Sequence, residues 1–257
     1  MNCQPRTPLL MATFAAALSI STAQAASSAR CEVRSGAEAP AIVELYTSEG
    51  CSSCPPADRW LSTLNDQRHV LPLAFHVNYW NHLGWQDRFA TPGTTQRQHQ
   101  VRAVQNGRYV YTPQVVLNGQ DHRGWHGQSP SALRQAGQSP TDTAPTLLIR
   151  RNGNQLTATV GSIPGPAALA GYWAVLQDGL VSRVTRGENA GETLTHDHVV
   201  SLYQPVPAWP GDKPQVLQLS LPEGPQFEAL RVAFVVTQPD LVRPVQGAVL
   251  KCENPAH

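Results

Sequence analysis

Hydrophobic positions fall into short runs separated by Gly, Pro, Asn and Ser, and the two halves of the chain carry different patterns. In the first half, Ala41 to Tyr46 and Val70 to Val77 are nearly unbroken apolar runs of strand length, as expected for strands buried on both faces. Between them, Trp60, Leu61 and Leu64 share a face at helical spacing, which predicts a helix starting near Pro55 with Trp60 packed into the core. A second helix is predicted from Thr94 to Gln105, with Thr91 as cap, Pro92 at its first position and Asn106-Gly107 as its end. Arg97, Gln98, His99, Gln100 and Arg102 make it polar almost all round, so the pattern predicts a surface helix. Tyr111 to Gly119 then reads as loop, β-branched strand and Asn-Gly turn, Gln120 to Gly127 as a returning strand, and Ser129 to Gln135 as a capped helix.

The second half reads as β throughout. Gln138 to Pro145 has the composition of a linker. Thr146 to Arg150 and Gln155 to Val160 flank Asn152-Gly153, a hairpin signal, and further runs follow at Tyr172–Leu176, His198–Leu202, Gln215–Leu221, Arg231–Thr237 and Val245–Leu250. Short strands with Pro and Gly turns predict a small sandwich. The expected organisation is an α/β domain over 38–137, a linker over 138–145 and a β-rich, sandwich-like domain over 146–252.

The start of the chain changes the compartment and the cysteine count. Residues 1–25 have the form of a signal peptide: Arg6, an apolar stretch from Leu9 to Ile20 too short to span a bilayer, then Ala23-Gln24-Ala25. Its removal takes Cys3 and leaves Cys31, Cys51, Cys54 and Cys252, an even set in a periplasmic or secreted protein. With Cys51 and Cys54 as neighbours, the economical second pair is Cys31–Cys252, joining the ends of the mature chain and worth roughly 5 kcal/mol by chain entropy. No other stretch has the length and apolarity of a membrane span. The 19 basic and 18 acidic side chains show no long run of either sign, so the charge pattern carries no footprint for nucleic acid or an anionic membrane.

The chemistry concentrates in Cys51-Ser52-Ser53-Cys54-Pro55-Pro56. A C-x-x-C at a helix start places two thiols where unpaired backbone N–H groups and the helix dipole favour a thiolate, with Cys51 exposed for attack and Cys54 as resolving partner. The same spacing serves a structural disulfide or a metal site, and the chain has no second C-x-x-C. Glu44, inside the first apolar run, is either a buried carboxylate that takes the proton of Cys54 or a residue turned to solvent. The aromatic stretch Asn78 to Trp85 either covers a core edge or forms a wall beside a site, with packing the favoured reading. His196 and His198 share a face if extended, a pair short of a third ligand that reads better as exposed or hydrogen-bonded across strands. No cofactor is called for. A copper site using both thiolates with His76 or His122 is one alternative, and a non-catalytic interaction module with a structural disulfide is another.

These residues resemble the thioredoxin fold: Cys51 to Cys54 after a strand, and Thr112-Pro113 leading into strand, Asn-Gly turn and helix. The resemblance implies a cis Pro113 beside the disulfide, shaping the substrate groove, and matches Glu44 to the family's buried acid. The Ser-Ser dipeptide and an inserted segment from Asn78 to Gln105 depart from thioredoxin itself. The chain is more closely similar to a bacterial family of secreted thioredoxin-like proteins of unknown function, through Val43 to Asp58, Phe75 to Trp80 and Tyr111 to Gln114. The resemblance implies thiol–disulfide exchange on protein or small-molecule disulfides, carried by Cys51, Cys54, Thr112, Pro113 and Glu44.

Overall fold

A computed structural model describes residues 30–36, 38–64, 68–137, 144–165, 167–222 and 230–252, besides Met1. The expected signal peptide and most of the expected linker lie outside the described residues. The chain begins with β1 (Arg30–Arg34), β2 (Ala41–Thr47), α1 (Pro55–Ser62), β3 (Val70–His76) and a single 3-10 turn, Asn81–Leu83. It continues through α2 (Pro92–Val104), β4 (Gln114–Leu117), β5 (Gln120–Asp121) and α3 (Pro130–Gly137). Among the described residues only strands follow: β6 (Leu147–Asn152), β7 (Gln155–Val160), β8 (Ala168–Gln177), β9 (Leu180–Arg183), β10 (Thr193–His196), β11 (Val199–Pro210), β12 (Gln215–Ser220), β13 (Arg231–Thr237) and β14 (Pro244–Lys251).

The two halves are not separate bodies. An eight-stranded sheet runs through both in the order β14-β13-β8-β11-β3-β2-β4-β5, and a four-stranded sheet, β1-β6-β7-β12, stands apart from it. The halves join where β11 meets β3 in parallel at one position, Val199 opposite Ala74, with Ala74 N donating to His198 O at 2.9 Å. That single bridge explains how Pro72 is tolerated inside β3. Amides two residues apart point to the same side of a strand, so Pro72 lacks its N–H on the side where β11 offers no further ladder.

Alternation along β8 shows why the second half reads as apolar runs. Trp173 and Val175 enter a core with Ile149, Leu156 and Ala158 of the four-stranded sheet, while Tyr172, Ala174 and Leu176 enter another with Ile42, Tyr46 and Phe75. The opposite face of β2, bearing Val43 and Leu45, packs on Ala57, Trp60 and Leu61 of α1 and Leu133 of α3. The Asn118-Gly119 turn joins β4 to β5 with both residues at positive φ (49° and 81°), as a tight two-residue hairpin requires. In the β6–β7 hairpin the turn falls one residue later than expected, on Gly153-Asn154, because Asn152 still pairs with Gln155.

The polar helix is the main departure. Thr94, Arg97, Gln98 and Val101 of α2 are buried, not exposed. Arg97 Nη2 donates to Glu44 Oε1 at 2.6 Å, Nη1 donates to Leu241 O at 2.5 Å, and its guanidinium lies 4.7 Å from the Tyr172 ring centroid. Tyr46 Oη donates to Glu44 Oε2 at 2.5 Å and Tyr172 Oη to Glu44 Oε1 at 2.8 Å. Glu44 is therefore buried and charge-paired. It shares the face of Ile42 and Tyr46, opposite the face that packs on α1, so it does not sit behind the cysteines as the sequence reading allowed.

Replacing Glu44 by Gln leaves Arg97 buried without its counter-charge. The expected loss is about 3–5 kcal/mol of unfolding free energy, read from the urea midpoint of the oxidised protein.

Candidate functional site

The loop between β2 and α1 is built by close contacts. Gly50 has no alternative, since a Cβ there would lie 2.9 Å from Trp80 Cβ. Cys51 N donates to Ser48 O at 3.1 Å and Cys54 N to Cys51 O at 3.2 Å, and Cys54 caps α1 with its carbonyl accepting from Ala57 N and Asp58 N. The Cys51–Cys54 disulfide spans a Cα separation of 5.5 Å at the start of the helix. A second disulfide, Cys31–Cys252, ties β1 to the residue after β14.

The Thr112–Pro113 peptide is cis. Pro113 lines a cleft of about 350 Å³ with Ser53, Pro56, Tyr111, Trp125 and His126. Thr112 Oγ1 accepts from Trp80 Nε1 at 2.7 Å, and Glu49 Oε2 accepts from Trp85 Nε1 at 2.8 Å. The aromatic stretch thus braces the loops on both sides of the disulfide, beyond the packing read from its composition.

Both cysteines are 0 % exposed, although Ser52 and Ser53 between them are exposed. This corrects the expectation of an open Cys51. The segment between β9 and β10, more than a hundred residues away, is hydrogen-bonded onto this loop. Glu188 Oε2 accepts from Ser52 N at 3.0 Å and from Ser52 Oγ at 2.7 Å. Those two donors hold the Glu188 carboxyl below its ordinary pKa. Asn189 Nδ2 donates to Glu49 O at 2.8 Å and to Cys51 O at 3.0 Å. No motif in the sequence pointed to this arm, whose two functional side chains are ordinary turn residues.

Beneath the loop lies a buried cluster of Glu49, Asp58, His76, Asp87 and His196. His76 Nδ1 and Asp87 Oδ2 are 2.7 Å apart, and Asp87 Oδ2 also accepts from Glu49 N at 2.9 Å. His196 Nε2 lies 3.3 Å from Glu49 Oε1, and the two imidazoles meet edge to face at 4.9 Å beside Phe89. His76 Nε2 is buried with no hydrogen-bond partner. Burial pulls the His76 pKa down, but the Asp87 charge and hydrogen bond, with Asp58 and Glu49, outweigh it and raise the value. Burial raises Asp58, only partly offset by His76, His196 and Thr47. Burial also acts to raise Asp87, but the His76 charge and hydrogen bonds from His76, Glu49 N and Phe89 N hold it low.

The remaining histidines disperse. His198, at φ 59° just after β10, contacts Arg231 instead of sharing a face with His196, and burial followed by the Arg231 charge lowers its pKa to about 4. His122 is in the cleft wall, 3.0 Å from Gln128 Oε1, whereas His76 is locked on Asp87. Among the described residues no group of three His, Cys, Asp or Glu side chains is arranged to hold a metal ion.

A family model described as a protein of unknown function, DUF1223, matches residues 42–237. The chain belongs to the DUF1223 family. The matched span contains the disulfide loop, the cis proline, the buried cluster and the arm, and leaves Cys31 and Cys252 outside. A crystal structure of a structural-genomics protein from Agrobacterium tumefaciens is 27% identical, with a TM-score of 0.64 over 86% of this chain and 97% of that one. HBP35 of Porphyromonas gingivalis is 16% identical, with a TM-score of 0.54 over 87% of this chain and 79% of that one, a likeness of fold alone. No curated protein matches.

Replacing Asp87 by Asn in this DUF1223 member removes the largest contribution that raises His76 and leaves burial opposed only by Asp58 and Glu49, so the His76 pKa falls from its raised wild-type value in an NMR titration. Because the wild-type folded value is raised, its stabilising effect is complete below pH 6.5 and fades as pH rises through the folded pKa. The stability gap between wild type and Asp87→Asn is therefore widest between about pH 4 and 6.5, where Asp87 remains ionised, and narrows above.

Proposed function

We propose that this protein is an exported thiol–disulfide oxidoreductase with a thioredoxin-like first half, acting on protein or small-molecule thiols and disulfides through Cys51 and Cys54. One observation carries the reading: the disulfide closes the start of α1 next to a cleft that Ser53 and Pro56, the residues flanking Cys54 and Pro55, line together with Pro113. The arrangement of β2 with β3 parallel on one side and β4 antiparallel on the other, α1 and α3 on one face and α2 on the other, agrees with it. Two disulfides, and no described helix long and apolar enough to cross a membrane, suit an oxidising compartment.

In this mechanism a substrate thiolate attacks Cys51 Sγ, the Cys51–Cys54 bond breaks, and Cys54 leaves as a thiolate favoured by the α1 N-terminus. The products are a mixed disulfide and Cys54 thiolate, which then takes a proton. Attack by a second substrate thiolate on the substrate sulfur releases a substrate disulfide and reduced Cys51. The reverse sequence reduces a substrate disulfide. Asp58, one turn along α1 from Cys54 and raised by burial, is the acid–base group for that proton, in place of Glu44. Since Cys51 is fully covered, the arm carrying Glu188 and Asn189 must lift before attack.

The same burial favours a second reading, an interaction module whose disulfide is only structural. The reduction potential separates the two. Equilibration in glutathione buffers is expected to place the pair between roughly −120 and −270 mV, and a value below about −300 mV would make it structural. In Glu188→Ala/Asn189→Ala the arm loses its hydrogen bonds to the loop, and reduction by dithiothreitol is expected to speed up about tenfold. An unchanged rate would remove the gating step.

A further inference from the structure

We propose that the surface leading from the Pro113 cleft to Tyr109 is a docking track for a substrate segment carrying Asp or Glu beside its reactive cysteine. The inference rests on the exchange reading of Cys51 and Cys54 and adds the substrate class.

A second concavity, of about 330 Å³, adjoins the Pro113 cleft and shares Tyr111 and Arg123 with it. Arg102, Arg108 and Arg123 line this track, against one carboxylate, Asp121. The chain as a whole is nearly balanced, with 19 basic and 18 acidic side chains, so the excess is local. Asp121 is already occupied: it accepts from Tyr111 Oη at 2.6 Å, Gln114 Nε2 at 3.1 Å and Arg123 Nε at 3.1 Å. Arg108 is exposed and makes no hydrogen bond or ion pair among the described residues, and the Arg123 side chain is 75 % exposed. Exposed guanidinium groups with donors to spare match carboxylates in geometry as well as charge.

The track also has apolar walls that fit a peptide better than a small ion. Tyr109 is 66 % exposed, one of few large apolar side chains left in water, and its ring meets Tyr111 edge to face at 6.3 Å. Arg123 lies 5.5 Å over the Tyr111 ring, which fixes Tyr111 at the junction of the two concavities. The polarity of binding follows from the other side of the disulfide, where Glu188 occupies Ser52. An acidic segment is repelled there and attracted toward Arg123 and Arg108, so its carboxylates run away from the arm.

The test uses the full oxidised chain and two synthetic peptides, alike except for Asp-Asp or Lys-Lys next to one cysteine. The Asp-Asp peptide is expected to form the mixed disulfide about tenfold faster at low salt, with the gap closing at several hundred millimolar salt as screening shortens the interaction range. Arg108→Glu, outside the Pro113 cleft, is expected to narrow the preference severalfold while dithiothreitol reduces the protein at an unchanged rate. Cysteine-to-serine versions of both peptides, titrated by fluorescence anisotropy, read docking without chemistry. Equal affinity and equal rate for the two charge types would overturn the docking track and leave exchange standing. Tighter binding of the acidic serine peptide, with no mixed disulfide from any peptide, would support the track and count against the exchange reading.

Discussion

A guanidinium taken out of water must find both a counter-charge and acceptors, and Arg97 finds them across the whole molecule. Its partners come from β2 (Glu44), β8 (Tyr172) and the turn between β13 and β14 (Leu241 O). The segments that bear the disulfide and the segments that bear the β-rich half are thereby held to one helix, α2. Removing any one partner strands the others in low dielectric, where the desolvation of an uncompensated charge dominates. The single parallel bridge between β11 and β3 can then be short, because the register of the two halves is secured elsewhere.

The disulfide loop depends on that register. Cys51 and Cys54 are positioned locally, by the end of β2, Gly50 and the start of α1, but the loop between them is also held by hydrogen bonds to Glu188 and Asn189 from the other half. Under the loop the same junction closes the cluster of Glu49, Asp58, His76, Asp87 and His196, in which His196 is again a contribution of the β-rich half. Burying three carboxylates and two imidazoles together is costly unless each has a partner. Here one imidazole is fully engaged on Asp87, while ring nitrogens of both remain without hydrogen bonds.

Some of this was legible from residue order. Apolar runs at Ala41–Tyr46 and Val70–Val77 marked doubly buried strands, Thr91-Pro92 marked a helix start, and Asn118-Gly119 marked a hairpin, because each is a local matter of period, capping or positive φ. Local chemistry failed where burial was not apolar. Arg97 and Gln98 made α2 look like a surface helix, since hydropathy counts a charge as exposed and takes no account of a counter-charge 53 residues away. Glu44 was ambiguous for the same reason: its neighbours in sequence do not say which face of β2 meets α1.

Sequence alone thus indicated the helices, the two cysteine pairs and most strands, though not β1, β9 or β10, because period, capping and thiol arithmetic are short-range. Tertiary structure decided that the two halves share one sheet, that Cys51 is covered and that Asp58, not Glu44, lies on the disulfide side of β2. It also decided that His76 and His196 meet over two carboxylates. These outcomes depend on contacts between residues far apart in the chain, and no periodicity within a segment encodes which distant charge will compensate a buried one.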